Sequence, residues 1–324
     1  MPRIVIPDDA PPVMAASMAY RKLLEQTPVD YYDTLPGAEE QLIERIAGAE
    51  VVISIRSSTR FTENVFRNCP ALRLVSLWGT GTDNVDLQSA ARHGVTVTNT
   101  PGVSAFSIAE HALALMLAVA RRIPRVDAEV RQGQWPRGQA VQMHGKTLGI
   151  VGLGAVGRQF ARLGASIGMR VIAWTMHPDP ALGFELVPLD ELLRASDVAS
   201  LHLRLSADTR GFLGKPQLER MKPTSILINT ARGPIVDETA LVEALTTGRI
   251  AGAGLDVFDV EPLPAEHPLA RLENVVLTPH SAGITPEALE AGLDLSITNA
   301  WNFLGGRATN VVVSGASSHL ATGS

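Results

Sequence analysis

Short apolar runs alternate along this chain with longer stretches in which apolar residues recur every three or four positions. In the first hundred residues the runs fall at 4–6, 51–55, 72–77 and 95–98, each of strand length. Helical spacing occupies 13–26, 39–47, 63–67 and 86–93 between them. Such alternation predicts a parallel sheet with crossover helices. One long helix is expected over 105–122, then a connector at 131–145 containing Gly, Pro and Trp that reads as a loop or arm. A second array opens at Thr147, with strands expected at 147–151, 171–174, 198–203, 226–229, 254–257 and 275–278. Asp237 suits an N-cap, with Ala240, Leu241, Ala244 and Leu245 as the apolar stripe and Gly248 closing the helix. The small, polar residues at 314–324 predict a frayed tail.

The strand expected at Thr147 runs straight into Gly152-x-Gly154-x-x-Gly157, and a helix-compatible run follows at 158–167. Strand, glycine turn and helix are the context that a dinucleotide fingerprint requires. The first glycine permits the tight turn, and the second lets the backbone approach a pyrophosphate. The third lets helix and strand pack closely, while the helix N-terminus offers free N–H groups to phosphate. Gly152, Gly154, Ala155, Val156 and Gly157 are therefore candidate cofactor-binding positions. Two α/β arrays in series predict a cleft between them, where a cofactor and a small substrate meet.

Composition narrows the class. A chain of 324 residues can hold two domains with full cores, and 45% hydrophobic with 19% charged residues fits a globular protein. With a net charge of −5 and no Lys/Arg cluster beyond two or three residues, a nucleic-acid surface is not expected. The longest apolar run, 112–120, is half a membrane span, and the start of the chain lacks a signal-peptide pattern. A single cysteine, Cys69, cannot form an internal disulfide, which fits a reducing, cytoplasmic setting. No metal cluster is visible; His202 stands alone in an apolar strand and reads as structural, and Glu110 with His111 reads as a buried polar pair.

Three polar residues sit just past apolar strands of the second array: Arg232 in INTARGPIVD, Glu261 in GLDVFDVEP and His280 in VVLTPHSAG. Open α/β sheets bind ligands outside the carboxyl ends of their strands. Hydride exchange at a carbinol carbon needs a partner for the hydroxyl proton near neutral pH, and histidine, with an ordinary pKa of about 6.5, suits that role. A carboxylate on the second ring nitrogen fixes the tautomer. A guanidinium can clamp a substrate carboxylate and polarise the neighbouring carbonyl.

On the ordered motifs GLGAVG, INTARGPIVDE, GLDVFDVEP and TPHSAG, with GTGTDNVD, NTPGV and AEH upstream, the chain resembles the D-isomer-specific 2-hydroxyacid dehydrogenases. The likeness covers nearly the whole chain, from about Arg56 to Val312. It implies an α/β fold of two parallel-sheet domains: a Rossmann-type NAD(P)-binding domain at 101–285, and a smaller flavodoxin-like substrate domain built from 1–100 and 286–324. It implies that Arg232, Glu261 and His280 are the catalytic set, with His280 as acid/base and Glu261 as its partner. Thr230, Ala231, Asp256 and Gly283 would flank the nicotinamide, and Arg56, Ser57, Trp78 and Gly79 would line the substrate side. The long helix and the connector with Trp135 would form a homodimer interface.

The chain departs from the pattern in two places. An acidic residue normally ends the second strand of the fingerprint unit, roughly 20 residues on, and binds the adenine ribose. Here 171–174 ends in Thr175, Met176 and His177, and Asp179 lies beyond Pro178. Arg204 stands where the family commonly has Pro. Thr175, His177 and Arg204 therefore suit NADP as well as NAD. Trp78 replaces a smaller residue, and its ring is expected to narrow the substrate pocket. The resulting expectation is an NAD- or NADP-dependent D-2-hydroxyacid dehydrogenase acting on a small 2-oxo or 2-hydroxy acid of glyoxylate or hydroxypyruvate type. The competing expectation is a transcriptional co-repressor of the same fold that uses the dinucleotide as a binding signal.

Overall fold

The computed structural model describes residues 2–315. The chain divides into two compact units: one runs through Ser104 and resumes at Thr285, and the other is Ala105–Ile284. The tail expected at 314–324 lies, from Ala316 onward, outside the described residues.

In the first unit, strands β1 (Ile4–Ile6), β2 (Val29–Tyr31), β3 (Val51–Ser54), β4 (Leu74–Leu77) and β5 (Thr96–Thr98) pair in parallel in the order β5-β4-β3-β1-β2. Val311–Val313 joins antiparallel beside β5. Side chains alternate between two cores: Val5 and Val52 pack with Phe61 and Phe66, while Ile4, Ile6, Val51 and Ile53 pack with Leu293 and Ile297. Burial on both faces is why the inner strands read as unbroken apolar runs. The apolar pattern does not announce the edge strand β2: Val29–Tyr31 carries Asp30 at its centre, so pairing with β1 supplies what its sequence lacks.

The second unit adds β6 (Thr147–Val151), β7 (Arg170–Trp174), β8 (Glu185–Leu186), β9 (Val198–Leu201), β10 (Ile226–Asn229), β11 (Gly252–Leu255) and β12 (Val275–Leu277). They form a parallel sheet in the order β12-β11-β10-β9-β6-β7-β8. From β6 the chain builds outward through β7 and β8, then returns beside β6 and builds the other way. The boundary between β6 and β9 is the switch point outside which such sheets bind ligands.

Several bounds shift from the sequence expectation. The strand expected at 254–257 lies at Gly252–Leu255, so Asp256 falls just beyond its end. The helix expected at 105–122 stops at Arg121, because Arg122 takes a left-handed conformation (φ 56) and a new helix, Ile123–Arg131, begins. The helix expected at 13–26 is interrupted at Ser17, whose hydroxyl accepts the Tyr20 N–H and caps Met18–Gln26. Cys69 ends the helix Glu63–Asn68 and is buried, and burial pushes its thiol pKa up.

Trp78 follows β4. Its indole N–H donates to the Leu289 carbonyl at 3.4 Å, and its ring packs against the core that holds Leu293 and Ile297. The residue expected to narrow a pocket is thus anchored within the core of its own unit. Trp78→Ala is predicted to lower stability by roughly 2–4 kcal/mol, at the lower end for large-to-small core changes because the ring is half-buried. Urea titration reads this as a lower midpoint, and an unchanged midpoint would contradict the seat described.

Candidate active site

The glycine turn divides its three glycines by task. Gly152 adopts φ +103, and a Cβ there would stand 2.7 Å from the His202 carbonyl oxygen. A Cβ on Gly157 would overlap the Gly152 carbonyl oxygen. Both are required by the fold itself. Gly154 instead is exposed, with nothing within 4 Å of where its Cβ would be. It is the N-cap of helix Ala155–Ser166, and no side chain caps that end. Ala155, Val156 and Gly157 supply the first helical N–H groups. An open approach to uncapped helix N–H groups fits a dinucleotide pyrophosphate.

On either side of this turn lie the ends of β7 and β9, both in register with Val151. Thr175 is half-buried beyond β7, and His177 is exposed. Asp179 caps its own short turn, accepting the Ala181 N–H at 2.9 Å. Arg204, beyond β9, is exposed; its carbonyl accepts the Thr209 hydroxyl, and its guanidinium has no partner among the described residues. His202 bonds Ser200 Oγ through Nε2 at 2.9 Å and meets the Phe160 ring edge-on at 5.7 Å. Burial pushes its pKa down to about 3, so it stands there as a neutral packing residue.

Three adjacent strands carry the polar trio. Asn229, Leu255 and Leu277 at the ends of β10, β11 and β12 are mutually in register. Arg232, Glu261 and His280 follow them on consecutive loops. His280 Nδ1 lies 2.7 Å from Glu261 Oε2, and Glu261 Oε1 accepts the Phe258 N–H at 3.0 Å. Burial pulls the Glu261 carboxyl upward. The His280 bond and charge, the Phe258 N–H and the nearby Arg232 charge together hold it below the usual carboxylate range. His280 and Glu261 thus meet in space, and Arg232 stands near enough for its charge to act on the Glu261 carboxyl. Nε2 of His280 has no partner among the described residues.

The loops are held by residues whose part the motifs do not reveal. Asn229 accepts the Ala231 N–H at 3.0 Å and donates to the Arg232 carbonyl at 2.9 Å, closing the turn that presents Arg232. The hydroxyl of Thr230 is buried without a hydrogen-bond partner among the described residues. Gly233 abuts the Phe258–Asp259 peptide so closely that any Cβ would overlap it, which brings the arginine loop against the glutamate loop. Asp256, implied to stand beside the nicotinamide, is 1% exposed and turns its carboxylate inward. It accepts the Thr278 hydroxyl at 2.6 Å, the Ser281 N–H at 2.9 Å and the Ala282 N–H at 2.9 Å. Gly283 follows directly and is half-buried. His280 itself sits in the left-handed region (φ 52), with its N–H on the Asp256 carbonyl.

Glu110 and His111 do not form the buried pair expected. Glu110 is exposed, while His111 Nε2 meets Thr278 Oγ1 at 2.9 Å and extends the Asp256 network. Consecutive helical residues point in different directions, so the two cannot share a pocket.

In the other unit, described by itself, Arg56 and Ser57 follow β3 and Trp78-Gly79 follow β4. The buried Asp8 carboxylate accepts the Ser54 hydroxyl and the Ile55 and Arg56 N–H groups, though burial still raises its pKa. Arg56 reaches to within 3.7 Å of the buried Asp9 and donates to the Pro11 carbonyl. Ser57 is exposed, and the Gly79 N–H donates to Thr100 Oγ1 at 2.6 Å.

A family model described as "D-isomer specific 2-hydroxyacid dehydrogenase, NAD binding domain" matches residues 113–282. A glyoxylate reductase of Korarchaeum cryptofilum is 42% identical over 277 residues, which are 82% of this chain and 83% of that one. A D-3-phosphoglycerate dehydrogenase of Archaeoglobus fulgidus is 40% identical over 257 residues, 78% of this chain but 49% of that longer one. Among solved structures, the acyclic imino acid reductase Bsp5, in complex with NADPH and D-Arg, has a TM-score of 0.88 at 31% identity, covering 96% of this chain and 100% of that one.

The geometry yields two expectations. Gly154→Val is expected to fold with an unchanged melting temperature yet lose NAD(P)H binding in a fluorescence titration, whereas Gly157→Val unfolds; normal binding by the Gly154 variant would contradict the assignment of that open approach. For Glu261, a lowered native pKa stabilises the fold above its ordinary value of 4.5, and that contribution is lost as pH falls through the lowered value. The melting-temperature gap between wild type and Glu261→Gln should accordingly be wider at about pH 6 than at about pH 3. A gap that widens on acidification would reverse the sign argued here.

Proposed function

The chain belongs to the D-isomer specific 2-hydroxyacid dehydrogenase family, and on that premise we propose that it reduces a small 2-oxo acid of glyoxylate or hydroxypyruvate type to the D-2-hydroxy acid. It is an NAD(P)-dependent oxidoreductase. The observation that carries the substrate reading is the 2.7 Å His280–Glu261 pair with Arg232 beside it, at the strand ends of the sheet that bears the glycine turn. When bound, the reduced nicotinamide supplies the hydride that adds to the 2-oxo carbon. Arg232 binds the substrate carboxylate and polarises the carbonyl oxygen. His280 gives its Nε2 proton to that oxygen, so hydride and proton together convert C=O to CH–OH. Glu261 accepts the Nδ1 proton and balances the charge of the imidazolium from which Nε2 donates, leaving the ring afterwards as the neutral Nδ1–H tautomer.

Ala105–Ile284 acts in this reading as the nucleotide-binding domain, with Thr230, Ala231 and Gly283 near the nicotinamide. The other unit contributes Arg56, Ser57, Trp78 and Gly79 to substrate binding. Exposed Arg204 and His177, with Asp179 committed to its own turn, support acceptance of a 2′-phosphate, so NADPH serves as well as NADH or better. The helix Ile123–Arg131 buries none of its residues, and Ile123, Val130, Trp135 and Val141 are exposed around it. That apolar run supports a homodimer built on this helix and the following arm. The lone cysteine fits a cytoplasmic setting.

A panel of 2-oxo acids, including hydroxypyruvate and its phosphorylated analogue, is assayed with each reduced cofactor at about 340 nm, the absorbance of reduced nicotinamide. Expected are turnover of glyoxylate or hydroxypyruvate, a kcat/KM for NADPH at least equal to that for NADH, and a loss of roughly 10²-fold or more in His280→Ala. Near-normal activity of His280→Ala would overturn the acid/base assignment. A large preference for NADH would overturn the cofactor assignment alone.

A further inference from the structure

We infer that Glu238 is a positioning residue for the proposed reaction, holding the loop that carries Glu261 in the place from which it grips His280. The inference rests on the acid/base reading above and extends it to a side chain outside that site. By sequence alone Glu238 is unremarked: it opens the helix Glu238–Thr246 after the N-cap Asp237, where any acidic residue suits the positive end of the helix. A carboxylate with only that duty would point to solvent.

Glu238 does not. Its side chain is 19% exposed, and both of its oxygens are committed to one loop. Oε2 accepts the Asp259 N–H at 3.2 Å, and Oε1 lies 3.1 Å from His267 Nε2. The other His267 nitrogen, Nδ1, accepts the Leu269 N–H at 3.3 Å, so the ring donates through Nε2 to Glu238. The two grips fall on either side of Glu261 in the chain. Next to the first of them, the Phe258 N–H donates to Glu261 Oε1, and the second Glu261 oxygen meets His280. An unbroken series of hydrogen bonds and one peptide therefore leads from Glu238 to the imidazole. Gly233, between Arg232 and this helix, abuts the same Phe258–Asp259 peptide, so arginine loop, helix start and glutamate loop form one docked unit.

The placement carries an electrostatic cost. Asp259 is held above the usual carboxylate range, chiefly by burial and then by Glu238 and Asp237, with Arg210 and His267 opposing. Crowding three carboxylates at a helix start disfavours the fold locally. The offsetting gain is a fixed Glu261.

The test is a double-mutant cycle on the full-length enzyme with reduced cofactor and its best 2-oxo acid. Glu238→Gln keeps the size of the side chain but can accept only one of the two bonds. It is expected to lower kcat/KM roughly tenfold while the KM for cofactor stays within about twofold. In a Glu261→Gln background the same change should cost less than about twofold, because the group it positions is already gone. His267→Ala, which loosens the loop from the other side without touching the helix, should give the same pattern. Equal losses in both backgrounds would mark a merely structural role and overturn the inference, as would no loss in either. Full activity of Glu261→Gln alone would instead remove the acid/base reading and this inference with it.

Discussion

The buried carboxylate of Asp256 decides where His280 stands. A carboxylate that is 1% exposed cannot be left without partners, and this one is satisfied by the Thr278 hydroxyl and two successive N–H groups of the loop after β12. Charge-assisted bonds of this kind are each worth about 1.5–3 kcal/mol, enough together to hold a non-glycine residue at positive φ. His280 is that residue, and its N–H returns to the Asp256 main chain. The imidazole is thus presented by a turn built from the neighbouring strand's end. Its orientation toward Glu261 follows from the register of β11 and β12 and not from the histidine's own preferences.

The same economy recurs at each strand end. Asn229 closes the turn after β10 with two bonds and presents Arg232. Asp8, in the other unit, performs a comparable task after β3, where its buried carboxylate accepts the N–H groups of Ile55 and Arg56. In each case a short polar side chain satisfies backbone groups that the sheet leaves unpaired. A longer charged side chain, Arg232 or Arg56, then follows on the turn. Parallel sheets produce many such ends in a row, so functional groups distant in the chain arrive together once the strands are in register.

How much of this the sequence disclosed depends on the physical kind of signal. Inner strands buried on both faces are legible as apolar runs, and GLGAVG is legible because strand, turn and helix all leave marks there. Edge strands such as Val29–Tyr31 leave none, since pairing holds them more than side-chain burial does. Arg232, Glu261 and His280 were findable because each follows an apolar strand. Asp256 was found, but its orientation was not: a carboxylate in GLDVF reads the same whether it faces a ligand or its own loop. The part of Glu238 is invisible without coordinates, because its partners, the Asp259 N–H and the His267 ring, lie far along the chain, and that of Asn229 because closing a local turn leaves no mark in the apolar pattern. The pairing of Glu110 with His111 was a misreading that helix geometry alone forbids, and the bond from the Trp78 indole to the last helix is long-range and leaves no local mark.

The central claim is that Arg232 and His280 act on one small acid. A crystal structure with oxidised or reduced cofactor and oxamate, an unreactive 2-oxo acid analogue, tests it most directly. The expected result is the oxamate carboxylate against the Arg232 guanidinium and His280 Nε2 at about 3 Å from its carbonyl oxygen, the distance proton transfer requires. Oxamate bound away from Arg232, or an imidazole turned from it with the Glu261 bond broken, would contradict the claim.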